Sequence, residues 1–382
     1  RSQTVALGYQ AGNNQGVYNR VRSWFNPFGT GANADTMTIG FLGNTLYLGG
    51  NFTSVNGVSA TRIAAFDMTS GIWSNPFGTG LNNWCYGITS IGNILYVCGD
   101  FTSVNANAWN RIAAFNTITN VWFNPFGIGV DNTAVPIISV GNIRYVGGNC
   151  ITVNGNAGNC IAAFNTVTNT WFNPFGTGLT RVSTPASYAI VNIGNILYVG
   201  GYFTGVDGNA WNNIAAFNIT TSTWFNPFGT GVNSYVLALN VIGNILYVGG
   251  DFTSVNGNSW NRLAAFNTIT NTLYNPFGTG VNAVVTTLTS LNNMLYVAGQ
   301  FTTVNGSAWN YITAFNAITN TLYNPFGSGL NVSANPRVLK TFGNILYIAG
   351  QSLTTFNGNA WNRVAAFDTS ISNAIAVGNQ AG

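Results

Sequence analysis

The apolar residues of this chain gather in short runs, each bounded by clusters of Gly, Asn, Pro and Thr, and no useful length of chain carries a helical apolar period. Runs of this kind predict strands rather than helices. Four of them follow one another in a fixed order. An apolar segment comes first; after a Gly-Asn turn comes Leu-Tyr-Val-Gly-Gly or a close variant, then Ile-Ala-Ala-Phe-Asn, then a Trp- or Leu-centred run. The second run is apolar at nearly every position, which predicts a strand covered on both faces. Its two glycines predict a place where a neighbouring backbone or ring comes close, because no Cβ stands in the way.

The whole set repeats. Asn-Pro-Phe-Gly begins at Asn26, Asn75, Asn124, Asn173, Asn226, Asn275 and Asn324, with spacings of 49, 49, 49, 53, 49 and 49 residues. Four strands in such a period predict one propeller blade per unit, so the expected fold is all-β: a seven-bladed β-propeller with four antiparallel strands in each blade. The last unit reaches Phe367 and Asp368 but lacks its Trp-Phe-Asn-Pro-Phe, whereas Trp24-Phe25-Asn26-Pro27-Phe28 stands near the start. Residues 20–25 are therefore expected to form the outer strand of the blade completed by 337–367, closing the ring without a weak seam. The propeller then spans 20–369, between flanking segments 1–19 and 370–382.

Leu-Tyr-Val-Gly-Gly, followed downstream by Ala-Ala-Phe-Asn-Thr and a Trp, resembles the kelch propeller repeat with its Gly-Gly doublet. Gly-Gly-Asp-Phe-Thr-Ser-Val-Asn-Gly and Asn-Arg-Ile-Ala-Ala-Phe are also similar to a propeller-type repeat of large surface proteins in bacteria, fungi and giant viruses. The likeness spans residues 20–369. It implies fold far more than function, since kelch-like propellers serve as enzymes, lectins and scaffolds. Outside the ring, segments 4–12 and 374–382 match each other at five of nine positions. They resemble the head repeats of trimeric adhesins and viral fibres. That resemblance implies β-roll-like flanks, a homotrimeric parent fibre as partner, and a propeller inserted between two turns of it; ordinary tails are the alternative.

Charge alters this picture by its scarcity. Charged residues make up 5% of the chain, against about 25% in ordinary soluble domains. There are seven Asp, no Glu, no His, ten Arg and the single Lys340. The net charge of +4 reflects few acids rather than a basic cluster, so no nucleic-acid partner is expected. The apolar runs fall far short of the roughly 18 residues of a spanning helix, so no membrane insertion is expected. Catalysis lacks its usual residues. Kelch-type copper oxidases need imidazole ligands, sialidase-like propellers need a Glu-assisted Tyr, and glycosidases need paired carboxylates. Asp67, Asp100, Asp251 and Asp368 occupy repeated positions better explained as turns and caps. The expectation is a non-enzymatic protein with no metal and no cofactor.

Cys85 and Cys98 fall on the first and second strands of one blade, while Cys150 and Cys160 replace the repeated Phe and Arg of the next. Two cross-strand disulfides are expected in an extracellular or virion-surface setting, with the pairing open; in a reducing compartment the four would be buried thiols. Asn51, Asn218, Asn305 and Asn331 lie in Asn-x-Ser/Thr sequons and are glycosylation candidates, in a composition where chance matches are common.

The binding candidates fall in two groups. Trp109, Trp211, Trp260, Trp309 and Trp361 share one position in the loop between the second and third strands, with Arg62, Arg111, Arg262 and Arg363 close by. Such Trp residues either stack on a sugar face, several sites adding avidity, or wedge between blades. Arg181, Arg337 and Lys340 stand outside the repeat register, beside insertions of four residues in the fourth unit and two in the seventh. These charges mark a site for an anionic or glycan partner, or simple loop drift. The expected function is a structural or adhesive display module of an extracellular appendage or virion fibre that meets a glycan or surface protein. The alternative is a lectin-like propeller using these Trp and Arg residues.

Overall fold

The computed structural model describes residues 22–149, 152–157, 160–181, 185–331 and 333–370, and every regular element among them is a strand. Seven four-stranded antiparallel sheets stand around one axis as a β-propeller. The first blade runs outward as Thr36–Leu42, Thr45–Gly50, Ile63–Asp67 and Ile72–Ser74, and the following blades repeat this order. Innermost strands of neighbouring blades touch all round the axis, and Thr36–Leu42 closes onto Asn335–Phe342. The loops between second and third strands share the upper face with the connections between blades; the other two turns of each blade form the lower face. The expected flanks, 1–19 and all but the first residue of 370–382, lie outside the described residues.

Alternation along each strand explains the unbroken apolar runs. In the first blade Leu46, Leu48, Ala64 and Phe66 enter the seam with the seventh blade, while Tyr47, Ile63 and Ala65 enter the seam with the second. Each of the seven seams is filled by one such cluster drawn from the two blades beside it. Stability is therefore built seam by seam from nearest-neighbour burial. The glycine doublet divides its task. A Cβ on Gly249 would lie 2.6 Å from Val285 in the next blade, whereas one on Gly250 would collide with the Tyr235 carbonyl on the approach to its own innermost strand. Only the first glycine serves the neighbouring blade.

The ring closes as the repeat predicts. Ser23–Phe25 pairs antiparallel with Val364–Asp368, setting Ser23 opposite Asp368 and Trp24 opposite Phe367. The Trp24 ring lies 5.7, 5.4 and 5.2 Å from those of Phe326, Phe356 and Phe367, and its Nε1 donates to the Phe326 carbonyl at 3.1 Å. Trp73, Trp122, Trp171 and Trp224 make the same bond to Phe28, Phe77, Phe126 and Phe175. Each indole clips an outer strand to the Asn-Pro-Phe-Gly turn through which the chain entered that blade.

The cysteine expectation is corrected here: no disulfide joins Cys85, Cys98 and Cys160, and Cys150 lies outside the described residues. Cys85 stands opposite Gly99 and Cys98 opposite Gly87. Cys85 therefore faces the seam with the first blade and Cys98 the seam with the third, on opposite sides of one sheet. Burial, with a smaller contribution from Cys98, pushes the Cys85 thiol well above its usual range. Burial and then Asp131 push Cys160 to about 12. Iodoacetamide should leave all three untouched in the folded protein and label them fully in urea, read by intact mass. Labelling under native conditions would show that the seams open.

One seam carries a charge. Arg144 replaces the leucine of the second run and is fully buried between the second and third blades. Its guanidinium lies 4.5 Å from the centre of the Tyr96 ring. Nη1 donates to the Gly141 and Ile143 carbonyls at 3.2 and 3.1 Å, while Nε and Nη2 have no partner.

Candidate functional site: the mouth of the axial channel

In every blade the innermost strand slips register near its start: between Thr36 and Thr38, Cys85 and Gly87, Ala134 and Ile137, Ser187 and Ala189, Val236 and Ala238, Val285 and Thr287, and Pro336 and Val338. A bulge leaves its extra residue outside the ladder and re-aims that side chain. The residues so released are Met37, Tyr86, Val135, Tyr188, Leu237, Thr286 and Arg337, and all seven line a cavity of about 480 Å³ on the axis at the upper face. A smaller recess of about 180 Å³, almost wholly apolar, continues beside Val135 and Tyr188.

Aromatic rings form one wall. Tyr202 stacks on Tyr235 at 3.9 Å with an 18° tilt, and Tyr188 lies 6.2 Å from Tyr235. Arg181 caps the stack, its guanidinium carbon 3.1 Å from the centre of the Tyr202 ring. A cation over a ring face is held by the ring quadrupole. Trp84 stacks on Tyr86 at 5.8 Å and 15°. The Tyr86 hydroxyl donates to Asp100 Oδ2 at 3.2 Å, and Thr133 Oγ1 donates to Asp100 Oδ1 at 2.5 Å. Burial and the charge and hydrogen bond of Asp100 push the Tyr86 phenol up to about 12, with Arg337 pulling the other way. The ring stays neutral across the physiological range.

The polar wall comes from the seventh blade. Arg337 Nε and Nη2 donate to Gln351 Oε1 at 2.9 and 2.7 Å, and Asn335 Nδ2 donates to the same oxygen at 2.9 Å. Thr286 Oγ1 donates to the Pro336 carbonyl. Around the rim, Arg363 Nε stands 3.3 Å from Asp35 and Arg262 Nε 3.7 Å from Asp251. Neither contact is aligned as a hydrogen bond; they are ion pairs. Both arginines adopt a left-handed backbone, as do Arg62 and Arg111. In that conformation the Arg262 amide donates to the Phe252 carbonyl, and its own carbonyl accepts from Gly250.

Of the off-register charges Arg337 lines the cavity, Arg181 lies behind its aromatic wall on Tyr202, and Lys340 sits three residues farther along the innermost strand that carries Arg337. Trp109, Trp211, Trp260, Trp309 and Trp361 are half-buried against the seam clusters, away from the cavity lining. Of the sequon residues, Asn218 caps a turn through the Thr220 and Thr221 amides. Asn305 accepts from Thr279 and Gly280, and Asn331 donates to the Ser352 carbonyl while accepting from Thr354. Asn51 lies at the upper end of a second strand. Sequence reasoning missed Trp84, Tyr86, Tyr188, Tyr202 and Tyr235. For four of them the signal was the disagreement among copies near the start of the innermost strand, and for Tyr202 it was a ring where the other copies carry Asn, Asp or Gln at the end of the second run. Among the described residues no three His, Cys, Asp or Glu side chains gather as a metal site.

No protein-family model matches this chain, and no curated protein does. Among solved structures, a computationally designed protein, Ika8, is similar with a TM-score of 0.54 at 14% identity, covering 89% of this chain and 98% of its own. A chain of a mitotic checkpoint complex is similar with a TM-score of 0.57 at 12% identity, covering 96% of this chain and 98% of its own. At such identities the likeness is one of fold alone.

Proposed function

We propose that this protein is a non-enzymatic display module with a lectin-like site at its channel mouth, a kelch-like propeller carried on an extracellular appendage or virion fibre. The observation that carries this reading is the variation of the seven bulged residues. The blades repeat nearly unchanged, yet at this position they hold Met, Tyr, Val, Tyr, Leu, Thr and Arg. Seam packing demands likeness between blades. A cavity that fits one asymmetric ligand demands difference. Tyr faces beside hydroxyl, amide and guanidinium groups suit a sugar, whose apolar ring face stacks while its hydroxyls find polar partners.

Attachment supports the same reading. Ser23 and Asp368 stand opposite each other at the lower face, so both chain ends leave the ring there, beneath the mouth. A module tethered from below presents the mouth outward.

A glycan array probed with the intact protein and two variants tests this. Tyr235→Ala, which breaks the stack with Tyr202, should weaken binding at least about tenfold. Trp260→Ala, which touches only a seam, should leave affinity unchanged. Binding to no glycan, or loss with Trp260→Ala alone, would overturn the lectin reading.

A further inference from the structure

The seven innermost strands hold two charged residues, Arg337 and Lys340, both in Asn335–Phe342 of the seventh blade. The upper-face carboxylates near the mouth are engaged elsewhere. Asp35 faces Arg363, Asp251 faces Arg262, and Asp100 takes the Tyr86 and Thr133 hydroxyls. Among the described residues neither Arg337 nor Lys340 forms an ion pair. The innermost strands face the axis with apolar and neutral polar side chains plus these two cations, and Asp251, paired with Arg262, completes the lining of the cavity. At about 3.3 Å per residue they stand some 10 Å apart along the strand.

Arg337 is held ready. Gln351 takes Nε and Nη2 on one oxygen, fixing the guanidinium plane and leaving Nη1 directed away from that contact. A planar fork with a fixed plane matches a carboxylate better than a spherical ion. Both side chains are exposed, and the protein crowded around them lowers the proton affinity of Arg337 and of Lys340. Arg337 feels the Asp35 carboxylate without pairing to it, since Asp35 pairs with Arg363, so an anion entering the cavity is its readiest direct partner. The opposite wall, Tyr188 and Tyr235 with the Asp251 carboxylate, offers ring faces and a hydroxyl acceptor, which fits a sugar ring rather than a bare inorganic anion.

We infer that the ligand of this site is an acidic saccharide, its carboxylate seated on Arg337 and a second anionic group drawn down the channel by Lys340. This inference rests on the lectin-like reading of the mouth. The probes are trigalacturonate and its methyl ester, the same sugar without charge, titrated calorimetrically into the intact protein and into Arg337→Gln, Lys340→Met and Tyr235→Ala. The acid should bind at least about tenfold more tightly than the ester, and Arg337→Gln should remove that difference. Lys340→Met should weaken the trimer while sparing the monosaccharide galacturonate. Melting curves matching the parent would show that the variants fold. Equal affinity for acid and ester, with both lost in Tyr235→Ala, would overturn the acidic preference and leave the sugar site standing. Failure of the acid to bind at millimolar concentration would overturn the inference. Failure of the whole glycan array as well would remove the reading beneath it.

Discussion

Deletion of residues 1–25 should open the ring. The seventh blade would keep three strands, with Val364–Asp368 exposed as an unpaired edge, and the Trp24 indole would vanish from the cluster of Phe326, Phe356 and Phe367. An uncovered edge beside an emptied apolar pocket pairs with whatever strand it meets. The truncated protein is expected to elute as larger species than the intact protein, and a synthetic peptide of residues 20–28 should return it to the intact protein's elution position. The point variant Trp24→Ala isolates the packing term. It keeps the strand, removes a half-buried indole and its bond to the Phe326 carbonyl, and should cost about 3 kcal/mol in urea unfolding, the lower end of the range for large aromatic truncations. A truncated chain that elutes like the intact protein with an unchanged midpoint would contradict the closure.

The opposite sign is expected for Arg144→Leu. Six of the seven blades carry Leu at this place in the second strand, and the third carries a guanidinium with two unpartnered nitrogens in a buried seam. Desolvation of a buried polar group without a hydrogen bond costs about 1–3 kcal/mol, and more for a charged one. Leucine restores the apolar contact that the neighbouring seams use. The variant should be more stable by about 2 kcal/mol, without any change in binding at the mouth, since the residue faces Tyr96 rather than the channel. A stability loss would mean that the stacking on Tyr96 and the bonds to Gly141 and Ile143 outweigh the desolvation.

The repeating portions of this molecule were readable in the sequence, and those that depend on register were not. Seven copies of Asn-Pro-Phe-Gly and the displaced Trp24-Phe25 foretold the blades and their closure, because copies must pack against copies. The bulges left no such mark. Tyr86 lies inside Cys85–Ile91, a segment that reads as an ordinary strand, and only its pairing with Ile94–Gly99 shows that one residue has slipped out of the ladder toward the axis. The same slip undid the disulfide expectation. Cys85 and Cys98 looked like cross-strand neighbours by residue count, but each is set against a glycine and they face different seams. Arg181 and Arg337 stood out as charges off the repeat. The tyrosines beside them did not, because Tyr is common in this chain.

The paired ends at the lower face also determine how the propeller would respond to force. A load applied through the two flanking segments meets Ser23 and Asp368 first, the outermost pair of an antiparallel ladder, and acts across the strands rather than along them. Hydrogen bonds loaded this way break in sequence like a zipper, not together as they would in shear. Three residue pairs and one indole then stand between the tethers and an open ring. The mouth, built from the opposite ends of the innermost strands, would bear none of that load until the clasp had given way.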